Sequence, residues 1–317
     1  VVSISDVKRR EEASAITTRT PAFVLKVDVD THEGLRDGAP RLLELFARHD
    51  VSASWFVSMG PDRTGRAILR VFRQRGFLRK MLRSGAPRLY PWRTMLRGTL
   101  LPSIPIVTSQ PDRVRAIAAA GHEVGIHGFD HVRWHDDLAC LPAGAVDGEV
   151  SAALRCFEEV LGYRPAGFAA PGWQCTAGSL RSIDRAGFRY RSDTRGVVPY
   201  RPRIGTYRSS IPEIPTTLPT LDEILGQGTV AGADLVRSYV DQIRCDRINV
   251  HTVHTEIEGG RFIGQLDALL TRVRDLLPVR TLAEVVSELP SIDQLPVHLV
   301  QPRSLPGRGG TVACQAV

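Results

Sequence analysis

Apolar, β-branched segments alternate with stretches of helical periodicity along most of the chain, and this alternation restricts the fold more than any other feature. The segment AFVLKVDV at 22–29 runs into the polar turn Asp30-Thr31-His32-Glu33-Gly34, the pattern of a buried strand entering a loop. A helical pattern follows at 38–49, with Leu42, Leu43, Leu45 and Phe46 on one side. Further strands are expected at 53–58, 123–127, 166–169, 189–192 and 247–253, with helices at 112–120, 147–161, 177–186, 233–244, 262–276 and 281–288. Strands and helices in this order give a mainly parallel sheet, either doubly wound or closed into a barrel. The residues suited to chemistry stand at the carboxyl ends of several different strands, which favours the (β/α) barrel. No Gly-rich phosphate turn supports the doubly wound alternative. At 317 residues and 43% hydrophobic content the chain can bury one full core. That domain is expected over 21–290, between an N-terminal extension at 1–20 and a C-terminal tail at 291–317 that reads as irregular.

Asp28 and Asp30 are two apart at the end of an apolar strand, so they project to the same face. Two carboxylates that close repel unless their roles differ, as when one binds a metal and the other stays a hydrogen-bonded base. His127 and His131, four apart just after a strand, can place both imidazoles on one side of a turn. One carboxylate with two imidazoles is a recurrent divalent-metal set that leaves positions open for water and substrate. Each pattern alone is also what an ordinary turn or a polar surface gives. His251 and His254 are three apart on the strand 248–253, so they point to opposite faces, and His254 at the strand end is the functional candidate. A histidine with a pKa near working pH suits protonation of a leaving amine. Asp193, in YRSDTRG, is the carboxylate expected to orient it.

Taken in order, these segments resemble the polysaccharide deacetylase (NodB homology) family, and within it the deformylases of 4-deoxy-4-formamido-L-arabinose-phosphoundecaprenol. The matching strings are VDVDT at 27–31, SMGPD at 58–62, FLRKMLRS at 77–84, HEVGIHGFDH at 122–131, APGW at 170–173, YRSDTRG at 190–196, IPTTLPTLDEILG at 214–226 and HTEIEG at 254–259. The resemblance implies a distorted (β/α) barrel of the NodB type with about seven β/α units. It also implies Asp28 as general base, Asp30, His127 and His131 as ligands of a divalent metal, and His254 as general acid. Zn²⁺ is the expected ion, with Co²⁺, Ni²⁺ or Mn²⁺ compatible with the same set. The implied reaction is hydrolysis of the N-formyl or N-acetyl group of an amino sugar, foremost a lipid-phosphate-linked 4-formamido-4-deoxy-arabinose in lipid A modification. Alternatives are a deacetylase of a soluble amino sugar and a non-catalytic barrel that binds polyanions or membranes. Trp173, Arg195, Glu256 and Arg66 are the substrate-binding candidates. Two positions depart from the family. Many deacetylases carry an arginine where Ala169 stands, and the deformylases usually carry one where Gln174 stands.

The net charge of +7 is local. From Arg63 to Pro111 there is no Asp or Glu, while eleven Lys and Arg fall between Arg63 and Arg97, so the rest of the chain sums to −4. Arginines interleave there with Phe72, Phe77, Tyr90 and Trp92, a composition suited to an anionic membrane surface and to phosphate. A solvated helix is the plainer alternative. No recognised nucleic-acid module accompanies the charge, so nucleic acid is not an expected partner. The five cysteines are odd in number and widely spaced, and neither a membrane-spanning run nor a signal-peptide core is found. The expected location is cytoplasmic, at the inner face of the cytoplasmic membrane if the basic segment docks there.

Overall fold

The computed structural model describes residues 20–69, 92–228 and 233–317. The strands, in chain order, are β1 (Ala22–Val29), β2 (Ser54–Val57), β3 (Pro61–Asp62), β4 (Ile104–Pro105), β5 (Glu123–Ile126), β6 (Gly167–Phe168) and β7 (Tyr190–Arg191). They continue with β8 (Arg201–Ile204), β9 (Tyr207–Arg208), β10 (Ile248–His254), β11 (Val279–Arg280), β12 (Val297–Arg303) and β13 (Val312–Ala316). The main sheet runs β10-β1-β2-β5-β6-β7, all parallel. β11 pairs with Phe23 and Val24 at the start of β1, before β2 takes over at Lys26.

The two ends of this sheet are joined by an irregular segment. Arg191 N–H donates to the Pro212 carbonyl and Ile214 N–H to that of Arg191, while Thr217 and Leu218 N–H both donate to Val250 on β10. Residues 212–218 therefore stand between β7 and β10 and close the sheet into a distorted (β/α) barrel, as expected from the sequence. Helices cover the outside. Ala39–His49 has Pro40 in its first turn, buries Leu42, Leu45 and Phe46, and ends on Asp50 in the left-handed conformation.

Because side chains alternate along a strand, each strand divides its residues between two cores. On β1, Phe23, Leu25, Val27 and Val29 pack outward under the helices, whereas Val24 joins the barrel interior with Phe56, Ala169, Tyr190, Ile214 and Val250. Lys26 and Asp28 continue the inward series above Val24. All eight residues of β1 are buried, as a central parallel strand requires. Two glycines make room for the interior rings. A Cβ on Gly125 would lie 2.7 Å from the Phe56 ring, and one on Gly167 would lie 2.3 Å from that of Tyr190. Glu123 fills the base of the interior, accepting hydrogen bonds from Ser54 Oγ and the Tyr190 hydroxyl, both at 2.5 Å.

The C-terminal residues differ from the irregular tail expected. β12 and β13 pair antiparallel across a turn holding Gly307 and Gly310, both at positive φ, and β12 also pairs in parallel with β8. The hairpin is stitched to the barrel through Gln315, whose side-chain carbonyl accepts from Val197 and Val198 N–H, and through the Arg195 N–H to Ala313 carbonyl bond. Short strands that pair with a distant hairpin carry little periodicity of their own, which is why this segment reads as a tail.

Candidate active site

The site gathers at the carboxyl ends of β1, β5 and β10. Asp28 closes the inward series of β1, and Asp30 follows where the strand ends. His127 extends the β2–β5 ladder by one bond, its N–H donating to the Val57 carbonyl at 2.9 Å. Gly128 then turns the chain at φ +72°, a conformation that suits glycine, and His131 opens the helix His131–Asp137. Asp130 caps that helix by accepting from Arg133 N–H, and Arg63 and Glu149 hold Asp130 in turn. This fixes His131 with its ring centroid 5.3 Å from that of His127.

Asp30, His127 and His131 converge with one ligand atom each, all within 4.8 Å of one another. Nε2 of His127 is 3.3 Å from Asp30 Oδ1, and Nε2 of His131 is 3.5 Å from Asp30 Oδ2. His127 Nδ1–H donates to the Ala169 carbonyl at 2.9 Å, which commits Nε2 to the cluster as a lone-pair donor. Burial pushes the His127 pKa down to about 4, so the imidazole is neutral at working pH, the state a metal ligand needs. Asp30 Oδ1 is buried without a hydrogen-bond partner. The donor set and this orphaned oxygen together fit a divalent cation.

Asp28 and His254 flank the cluster as in-register partners on neighbouring strands. Burial raises the Asp28 pKa, but Lys26, His127 and His254 outweigh it and hold the carboxyl below its ordinary value. Burial opposes charge on His254 as well, yet Asp30, Asp222, Glu258 and Asp28 carry its pKa up to about 9. The base candidate is thus ionised and the acid candidate protonated near neutrality. His251, on the outer side of β10, packs against the rings of Phe23 and Tyr239, as its spacing from His254 predicts.

Asp193 requires a correction. Besides Asp30 and Asp28, the carboxylates that act on His254 are Asp222 and Glu258, and Glu258 also accepts the His254 backbone N–H at 2.8 Å. Asp193 instead lies fully buried 3.7 Å from Arg191, with Glu213 and Lys26 acting on its charge. The groups that raise the His254 pKa are Asp30, Asp222, Glu258 and Asp28, and Asp193 is not among them. Trp173 is 2% exposed, and its indole N–H donates to Thr216 Oγ1. The cations of Arg308, Arg195 and Lys26 face its ring at 4.6, 5.1 and 5.3 Å. Arg195 is bound to Glu223 at 2.5 Å and to the Leu218 carbonyl at 2.8 Å. Gln174 donates to the Thr311 carbonyl at 2.8 Å, tying the C-terminal hairpin down. Glu256 is buried and, through burial and the Asp30 charge, raised to about 8. It lines a cavity of about 460 Å³ with Glu33, Gly34, Arg36, Arg41 and Arg113.

Of the basic segment expected at 63–100, residues 70–91 lie outside the described residues. Among those described, Arg63 pairs with Asp130 and Arg97 with Glu33, while exposed Arg66 donates to the Gly98 carbonyl at 3.3 Å. No helix among the described residues is long and apolar enough to cross a membrane. Four residues that touch or act on the groups of the site were not singled out from the sequence. They are Lys26, Asp222, Glu258 and Arg308. Lys26 alone had a readable signal, since a lysine inside an apolar strand is almost never fully buried unless paired.

Reactive groups gathered at the carboxyl ends of parallel strands are the arrangement of a barrel enzyme. Residues 16–191 match the family model described as polysaccharide deacetylase, and the chain belongs to that family, as a hydrolase acting on amide bonds of carbohydrates. It is 39% identical over 235 residues to a probable 4-deoxy-4-formamido-L-arabinose-phosphoundecaprenol deformylase, ArnD, of Shewanella sediminis, covering 74% of this chain and 75% of the relative. The corresponding protein of Wigglesworthia glossinidia brevipalpis is 26% identical over 295 residues, 89% of this chain and 98% of that one. Among solved structures, a Mycobacterium smegmatis protein described as a polysaccharide deacetylase superposes with TM-score 0.61 at 18% identity, covering 90% of this chain and 95% of that one. At that identity the likeness concerns the fold.

Proposed function

We propose that the protein hydrolyses the N-formyl group of a 4-formamido-4-deoxy-arabinose carried on a lipid phosphate, in a metal-dependent reaction. The observation that carries this reading is the convergence of Asp30, His127 and His131 within 4.8 Å, in a chain 39% identical to a deformylase over 74% of its length. Asp30 Oδ and the Nε2 atoms of His127 and His131 would hold a divalent ion, Zn²⁺ foremost. Bound there, the ion would supply Lewis acidity toward the amide carbonyl and the attacking water.

The remaining steps fall to side chains. Asp28, ionised and buried, accepts the proton of the attacking water. His254, protonated through its carboxylate neighbours, donates a proton to the amine nitrogen as the C–N bond breaks. Formate and the free amino sugar are the products. The basic stretch at 63–100 would dock the enzyme on the anionic membrane that carries its substrate.

The test incubates the purified, metal-loaded protein with the lipid-linked formamido sugar and with acetylated amino sugars, and measures released formate and acetate by mass. Formate from the lipid-linked substrate is expected, at a rate at least tenfold above acetate release. Acetate alone, from a soluble sugar, would replace this reading with that of a soluble amino-sugar deacetylase. In the same assay R79E/K80E/R83E should slow turnover of vesicle-embedded substrate and leave that of a water-soluble analogue unchanged.

A further inference from the structure

We propose that Lys26 is a positioning residue that pins the Asp28 carboxylate away from the metal group and so keeps it available as the base. This rests on the reading of Asp28 and Asp30 given above. Lys26 and Asp28 are two apart on β1, the spacing that places strand residues on one face, and Asp30 follows two further on, just past the strand end. The series passes from a cation to a base and then to a ligand, toward the mouth of the barrel.

Lys26 is 0% exposed, so it cannot touch a substrate, and its Nζ donates to Asp28 Oδ2 at 3.1 Å. The ammonium is clamped between the rings of Trp173, at 5.3 Å, and Phe56, at 5.7 Å. Trp173 is itself held by Thr216, whose hydroxyl pairs with that of Thr252 at 2.9 Å, so closing segment and β10 both fix the clamp. With Oδ2 pinned, Oδ1 of Asp28 is left buried without a protein partner. Oδ2 lies only 3.9 Å from His127 Nε2. Freed from Lys26, the carboxylate needs little rotation to enter the cluster and become a fourth ligand. A buried ammonium costs desolvation that packing alone does not repay, and here it keeps two neighbouring carboxylates in different roles.

The test uses the full chain with K26M. Turnover should fall about 100-fold in kcat, with KM within twofold and metal content unchanged, the scale of losing a positioned general base. In a double-mutant cycle K26M should slow D28N no further, because Lys26 acts through Asp28. K26R, which keeps a cation, should recover at least tenfold over K26M. A second readout needs no substrate. The visible spectrum of the Co²⁺-loaded protein should change in K26M, as Asp28 joins the coordination shell, and stay close to wild type in K26R. Wild-type kcat in K26M, losses that multiply in the cycle, or an unchanged Co²⁺ spectrum would each overturn the assignment. If the wild type hydrolyses none of the amides, the proposed function fails while the spectrum still decides Lys26. Should K26M not fold, K26Q is compared with K26R in the same way.

Discussion

At His254 the balance between burial and charge decides what the residue can do. Burial favours the neutral imidazole, and four carboxylates, led by Asp30, reverse the outcome and raise the pKa to about 9. In the metal-free protein the imidazole signals of His254 should therefore titrate near pH 9 by NMR. D222N and E258Q should each move that midpoint down, toward the ordinary value of about 6.5. Since the folded pKa lies above the unfolded one, this group stabilises the fold fully below about pH 6.5, and its contribution is lost as pH rises through 9. A midpoint unmoved in both variants would mean that Asp222 and Glu258 do not support the acid. Residue types and spacing made Asp28, Asp30, His127, His131 and His254 legible in the sequence. They could not make Asp222 or Glu258 so, because a carboxylate's partner depends on which loops fold over the strand end. Asp193 was paired with His254 for lack of that information.

At the scale of elements, the long strands and helices were readable because each has one continuous apolar face. β1 and Ala39–His49 fall within a residue of their expected bounds. The closing segment at 212–218 and the hairpin β12–β13 were not, since each depends on partners more than 20 residues away. The interior also depends on what is absent. A Cβ at Gly125 would lie 2.7 Å from the Phe56 ring and 2.8 Å from the Gly167 carbonyl oxygen, and a backbone oxygen cannot step aside. Gly125→Ala should destabilise the barrel by about 1–3 kcal/mol, read as a lower Tm. Gly148→Ala is the control, because its Cβ meets nothing within 4 Å on an exposed helical turn. It should be neutral or stabilising by about 0.5–1 kcal/mol. Equal effects at the two positions would contradict this packing of the interior.

For the whole molecule, the sheet brings strand ends far apart in sequence to one mouth, and the site exists because β10, β1, β2 and β5 pair side by side in parallel. Order along the chain was enough to expect this, since residues suited to one chemistry each fell at the end of a strand. Charge was legible only as composition. Arg63 and Arg97, which looked like part of a surface-docking run, spend their charge on Asp130 and Glu33 beside the site. The central claim is that the fold assembles a three-residue metal site from Asp30, His127 and His131. It is tested most directly by measuring metal content and Zn²⁺ affinity of the purified protein alongside D30A, H127A and H131A, with circular dichroism to follow the fold. We expect one ion per chain in the wild type, at least a 100-fold loss of affinity in each variant, and folded spectra throughout. Folded variants that retain wild-type affinity would contradict the account.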